Sequence, residues 1–243
     1  MTTHTDFPPG IPARIDTTGR QALAGAVARA VESRALLAHP FYRRWEAGRL
    51  EAGELAEYAV QYRAFEAALP LVLEKLVGAL TAEGRNDAAA LVGRNLADEL
   101  GRPEPHLALF DRFAAGLGGD TARAAGPAAT ALVATYEELV DDRPEAALAG
   151  LAAYETQAAA IAASKADGLR RFYGADPVAC EFWDVHATMD ADHGEWTVDA
   201  LTRCGADPAL VFGAARRAAD AWWSLLDERE AEALGSAELC AHH

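Results

Sequence analysis

The sequence predicts a single all-α domain, a bundle of seven or eight helices. Three observations lead there. The 243 residues include 58 Ala against 12 Val and 3 Ile, a composition that favours helix over strand almost everywhere. Apolar residues make up 51% and charged residues 24%, the balance of a chain that buries a core in water. Apolar positions recur at helical spacing in one segment after another, and several segments open on or beside a proline, where the missing N–H costs nothing.

Residues 1–20 hold three of the 11 prolines and no helical period, so they read as a flexible arm, with 21–235 as the domain and 236–243 as a short tail. A first helical run covers 23 to about 37. It ends at His39-Pro40, because proline disfavours helical geometry in the residue before it and itself opens a helix. Residues 41–47 make one short turn. From 51 to about 80 a long amphipathic pattern runs through Leu55, Tyr58, Ala59, Tyr62 and Phe65, with a kink expected at Pro70. Turns at Glu83-Gly84-Arg85 and at Gly101-Arg102-Pro103-Glu104-Pro105 bracket a helix ending near Glu99. Further helices are expected over about 106–116, 127–140, 144–169, 177–203 and 208–234. No repeat or linker divides the chain.

Charge narrows the partners. A formal net charge of −15 repels phosphate backbones and anionic lipid surfaces, so neither nucleic acid nor membrane is expected. No apolar run approaches the roughly 20 residues a membrane helix needs, and no export segment opens the sequence. Cys180, Cys204 and Cys240 are odd in number and lack C-x-x-C spacing, which fits a reducing cytoplasm. Trp222-Trp223 would suit a homodimer contact if exposed, or the core if turned inward.

The chemistry begins with histidine. His4, His242 and His243 lie at the ends of the sequence, leaving four internal ones. His186, Asp190 and His193, in EFWDVHATMDADHGEW, fall at offsets 0, 4 and 7, one face of a helix. That strip reads equally as a salt-bridged helix surface or as metal ligands. In ELGRPEPH, Glu99 and His106 are seven apart, but Gly101, Pro103 and Pro105 forbid a continuous helix, so the pair converges only through a loop. Alone, it reads better as a solvated helix end. Glu155, in AAYETQAAAIAASKADGL, sits in apolar surroundings, where a carboxylate belongs at the edge of the stripe or against something cationic. Together these three carboxylates and three imidazoles form a thiolate-free donor set that suits iron or manganese and is large enough for two ions. Inward ligands from several helices are how bundles build dinuclear sites.

Four segments then carry a resemblance: HPFYRRWEAGRLEAGELAEYAVQYRAFEAALP, NLADELGRPEPH, YETQAAAIAASKADGLRRFYG and WDVHATMDADH. Across roughly residues 30–225 they resemble the CADD proteins of the haem-oxygenase-like dinuclear oxidase superfamily. H-P-F with a following G-x-L is shared more widely, with the TenA and PqqC proteins, and marks only the fold. The six-residue donor pattern is the specific part.

The resemblance implies a haem-oxygenase-like fold, a pair of divalent ions (Fe/Fe or Fe/Mn) that activates O2, and formation of 4-aminobenzoate for folate synthesis from a tyrosine of the protein itself. By the same resemblance Tyr42 is the source of the ring, Lys165 is the amino donor, and Tyr58 and Tyr154 match further tyrosines of the family and join the catalytic candidates. Tyr42 and Tyr58 read equally well as core aromatics and Lys165 as a solvated lysine, about 15 Å along the helix from Glu155. Yet Lys165 is the only lysine besides Lys75 in a chain with 20 arginines, and only lysine readily yields a neutral amine. Two departures stand out: Pro40 within the H-P-F-Y motif, and two prolines between Glu99 and His106. The other readings are the same metal centre acting on a separate small organic molecule, and a metal-free TenA-like binding or regulatory module.

Overall fold

Five helices start on proline, and those starts set the frame of the molecule. In order along the chain, α1 spans Thr17–Val31, α2 Pro40–Glu46, α3 Ala52–Ala82, α4 Asn86–Glu99, α5 His106–Gly116, α6 Pro127–Asp142, α7 Pro144–Phe172, α8 Pro177–Arg203 and α9 Pro208–Ala241. Two 3₁₀ turns, Glu32–Arg34 and Leu36–Ala38, link α1 to α2. This computed structural model describes residues 17–101 and 104–241. Among the described residues there is no strand, and no helix is long and apolar enough to cross a membrane.

The helix count thus exceeds the expected seven or eight. Residues 41–47, expected as one turn, form the two-turn α2, because the His39 ring accepts a hydrogen bond from the Phe41 N–H and Pro40 takes the first helical position. The first run stops as α-helix at Val31 and continues as the two 3₁₀ turns. Helix α1 already begins at Thr17, inside the stretch expected as an arm, and Arg20 fixes it by pairing with Glu195 and Asp199 on α8. Residues 1–16 lie outside the described residues. Helix α9 runs through the expected tail as far as Ala241, since the Ala, Glu and Leu around Gly235 outweigh its cost of about 1 kcal/mol. Helix α3 continues through Pro70.

Helix α7 is the axis of the bundle. It packs along α8 and α9, while α1 closes on α9, and α3 packs on α4, α5 and α6. Its run of alanines makes the close approach possible: eight alanines from Ala146 to Ala166 are buried. At Gly194 on α8 even a methyl group would press within 3.3 Å of the Glu155 carbonyl oxygen. Trp222 is buried with its indole N–H on the Tyr136 hydroxyl, and Trp223 lies edge-on to His39. Trp222 thus belongs to the core, while Trp223 is half-buried under the Arg34 guanidinium.

Candidate metal centre

Helix α8 brings its strip inward. His186, Asp190 and His193 are all buried, on the side facing α7 and α4. Glu155 comes from the middle of α7, and Glu99 and His106 are the last residue of α4 and the first of α5. The turn joining those two needs glycine: Gly101 has φ +66°, and a Cβ there would fall 1.5 Å from the Glu104 carbonyl oxygen. All six residues are buried. Five of them line one cavity, and His106 flanks it with its ring 4.6 Å from that of His186.

Glu99, His106 and His186 each present a donor atom within 4.8 Å of the others. His106 Nδ1 lies 3.2 Å from Glu99 Oε2 but without hydrogen-bonding alignment, so the two atoms flank a common point rather than satisfy each other. His186 Nδ1 bonds the Phe182 carbonyl at 2.8 Å, which leaves its Nε2 free. The other three are held differently. His193 Nε2 faces Asp98 Oδ2 at 3.2 Å, and its Nδ1 lies 3.4 Å from Asp190 Oδ1. Glu155 accepts from Asn95 Nδ2 at 2.6 Å and from the Thr197 hydroxyl.

Burial and mutual charge set the protonation of the group. Burial pushes the Glu155 carboxyl up to about 7. It also pushes Glu99 up, but the His106, His186 and His193 imidazoles prevail and hold it below the usual carboxylate range. Burial lowers His186. His193 resists burial because Asp190, Glu155 and Glu99 surround it, and it rises to about 9. Carboxylates and imidazoles gathered without thiolate, with a buried imidazole nitrogen left unpartnered, fit divalent iron or manganese.

Beside the cavity lies a second cluster. The Tyr42 and Tyr58 hydroxyls are 2.8 Å apart, and the Lys165 amine donates to Tyr58. Lys165 Nζ sits 4.1 Å from the Trp183 ring centroid, 4.5 Å from that of Tyr42 and 4.8 Å from that of Tyr62. Burial drives that amine well below its ordinary value. Tyr42, Tyr58 and Lys165 do not line the cavity; Tyr154 and Tyr62 do, bonded to each other through their hydroxyls.

Sequence reasoning missed Glu66, Asn95, Asp98, Thr197, Tyr62 and Trp183. Two carried a signal. Asn95 precedes Glu99 by four positions, and Glu66 follows Tyr58 by eight, so each shares a buried helix face with a residue already singled out.

The sequence profile of the iron-containing redox enzymes, a haem-oxygenase-like family, matches residues 56–223. The chain belongs to that family, a class of iron-containing oxidoreductases. Within it, the chain is 38% identical over 212 residues to the 4-aminobenzoate synthase of Nitrosomonas europaea, covering 81% of this chain and 86% of that one. It is 30% identical over 207 residues to the 4-aminobenzoate synthase of Chlamydia pneumoniae, covering 81% and 89%. Among solved structures, a CADD-like protein of unknown function from Nostoc punctiforme superposes with a TM-score of 0.70 at 18% identity, over 87% of this chain and 99% of that one. A TenA homologue from Pseudomonas syringae does so with a TM-score of 0.65 at 14% identity, over 94% and 99%. Both share the fold.

Proposed function

We propose that this chain forms 4-aminobenzoate with O2, drawing the ring from its own Tyr42 and the nitrogen from Lys165. In this reading Glu99, His106, Glu155, His186, Asp190 and His193 hold two divalent ions, Fe/Fe or Fe/Mn. The observation that carries it is the position of the Lys165 amine, 4.5 Å from the centre of the Tyr42 ring, in a pocket whose burial lowers the amine well below its ordinary value and so favours the neutral form. The relatives named 4-aminobenzoate synthase supply the product class.

The metal pair, when bound, supplies the O2-dependent redox chemistry. The chain does the rest. A neutral amine is a nucleophile and an ammonium is not, so the ring of aromatics around Lys165 serves by excluding water. The hydrogen bond to Tyr58 fixes the amine against Tyr42, and such positioning lowers the entropic part of the barrier.

The test is Tyr42→Phe, assayed for 4-aminobenzoate and for bound metal. Loss of product with metal content intact is expected, together with a wild-type yield that levels off at no more than one product per chain. Full product formation by the variant, or many turnovers by the wild type without restoration of the tyrosine, contradicts the proposal.

A further inference from the structure

We propose that Glu66 is a seventh donor of the metal centre, a fourth carboxylate that closes on the ions held by the six residues above. This rests on the reading of those six as metal ligands. Glu66 lies on α3, four residues after Tyr62 and eight after Tyr58, so one face of that helix carries all three inward. It is 4% exposed, lines the same cavity as Glu99, Glu155 and Asp190, and its Oε2 has no hydrogen-bond partner.

A buried carboxyl oxygen without a partner costs free energy, and something must offset it. Lys165 does so only in part: its amine attracts the Glu66 carboxylate, but it donates its hydrogen bond to the Tyr58 hydroxyl, and no ion pair joins it to Glu66 among the described residues.

Charge gives the second argument. Glu99, Glu155 and Asp190 carry three negative charges against the four positive charges of two divalent ions. A fourth carboxylate makes the resting centre neutral, the less costly state in a buried site. Helical bundles with dinuclear centres commonly use four carboxylates for this reason. Helix α3 is the one wall of the cavity that contributes none of the six expected ligands, and Glu66 is the ionisable residue it presents there.

The experiment uses the full chain, stripped of metal and reloaded anaerobically with Mn(II): wild type, Glu66→Gln, Glu66→Asp and, as a control on the centre itself, His186→Ala. The readouts are manganese per chain across graded free Mn(II), the electron paramagnetic resonance spectrum of the bound ions, and the melting temperature with and without metal. We expect the wild type to hold two ions. Glu66→Gln should weaken the less tightly held ion by about tenfold or more and change the spectrum, while the metal-free variant melts no lower than wild type. Unchanged affinity and spectrum in Glu66→Gln overturn the assignment of Glu66 and leave the six-residue centre standing. No manganese in the wild type, or identical binding by His186→Ala, overturns both. If Glu66→Gln does not fold, Glu66→Asp decides: its carboxylate is one methylene shorter, so unchanged binding by that variant overturns the assignment.

Discussion

The Lys165 amine donates its hydrogen bond to the Tyr58 hydroxyl, deep in the bundle and among five aromatic rings. A lysine so placed costs stability, because desolvating the amine is only partly offset by one hydrogen bond and by ring contacts. Lys165→Met fills nearly the same volume without that cost. We expect the variant to be about 1 kcal/mol more stable by denaturant titration and to make no 4-aminobenzoate. A variant that is destabilised by several kcal/mol, or that still makes product at the wild-type level, contradicts the role of the amine.

Glu155 depends on two neighbours, Asn95 and Thr197. Groups that orient a metal-ligating carboxylate typically contribute about 10- to 100-fold in metal affinity. Thr197→Val keeps the shape and removes the donor. Competition with a chelator should show metal affinity weakened within that range, with the melting temperature of the metal-free protein changed by only a few degrees; equal affinity would release Thr197 from this role.

Without metal, stability should depend on pH through His193. Asp190, Glu155 and Glu99 raise it from 6.5 to about 9 against the pull of burial, so its contribution is fully present below 6.5 and is lost as pH rises through about 9. Glu155, raised to about 7, likewise favours the acid side, losing its contribution between about 4.5 and 7. His186 is lowered by burial and works in the opposite sense, but only below its ordinary 6.5. Between pH 7 and 9 the buried Lys165 amine, held well below its ordinary value, works against His193, so the His193 contribution is read as a difference between two proteins. Scanning calorimetry should show the metal-free His193→Gln variant losing less melting temperature, or gaining more, than the metal-free wild type as pH rises from 7 to 9. Because bound metal requires a deprotonated imidazole, the gain in melting temperature on loading should grow with pH. Identical pH slopes in the wild type and His193→Gln contradict the assignment of the raised imidazole.

His39 belongs to the frame, not to the chemistry. Its ring caps α2 through the Phe41 N–H and reaches Asp227 on α9 at 3.1 Å. His39→Ala removes the cap and leaves a small cavity, a loss of about 2 kcal/mol that should lower the melting temperature by several degrees. Metal stoichiometry should be unchanged. Loss of metal with an intact fold would show that the H-P-F motif serves the centre directly.

Much of this was legible in the residues. Alanine-rich helical runs and prolines at helix starts gave the bundle, since both act locally. The offsets of His186, Asp190 and His193 gave one face of α8 for the same reason. The meeting of Glu99 with His106 was legible only as a necessity, because φ at Gly101 and the turn onto Glu104 are features of the folded loop. Glu66 was hidden among the other glutamates of α3. Whether a helical glutamate meets water or a cavity depends on what packs over it, here α7 and α8, and that is a tertiary fact. The 3₁₀ turns after Val31 and the continuation of α9 past Gly235 went unseen because propensity differences there are small beside packing.

The most direct measurement is anomalous X-ray diffraction from crystals of the full chain loaded with Mn(II). The account predicts two peaks inside the cavity, one reached by Glu99, His106 and His186 and the other by residues of the Glu155, Asp190 and His193 group. No anomalous peak there, or peaks only on the acidic surface, would contradict it.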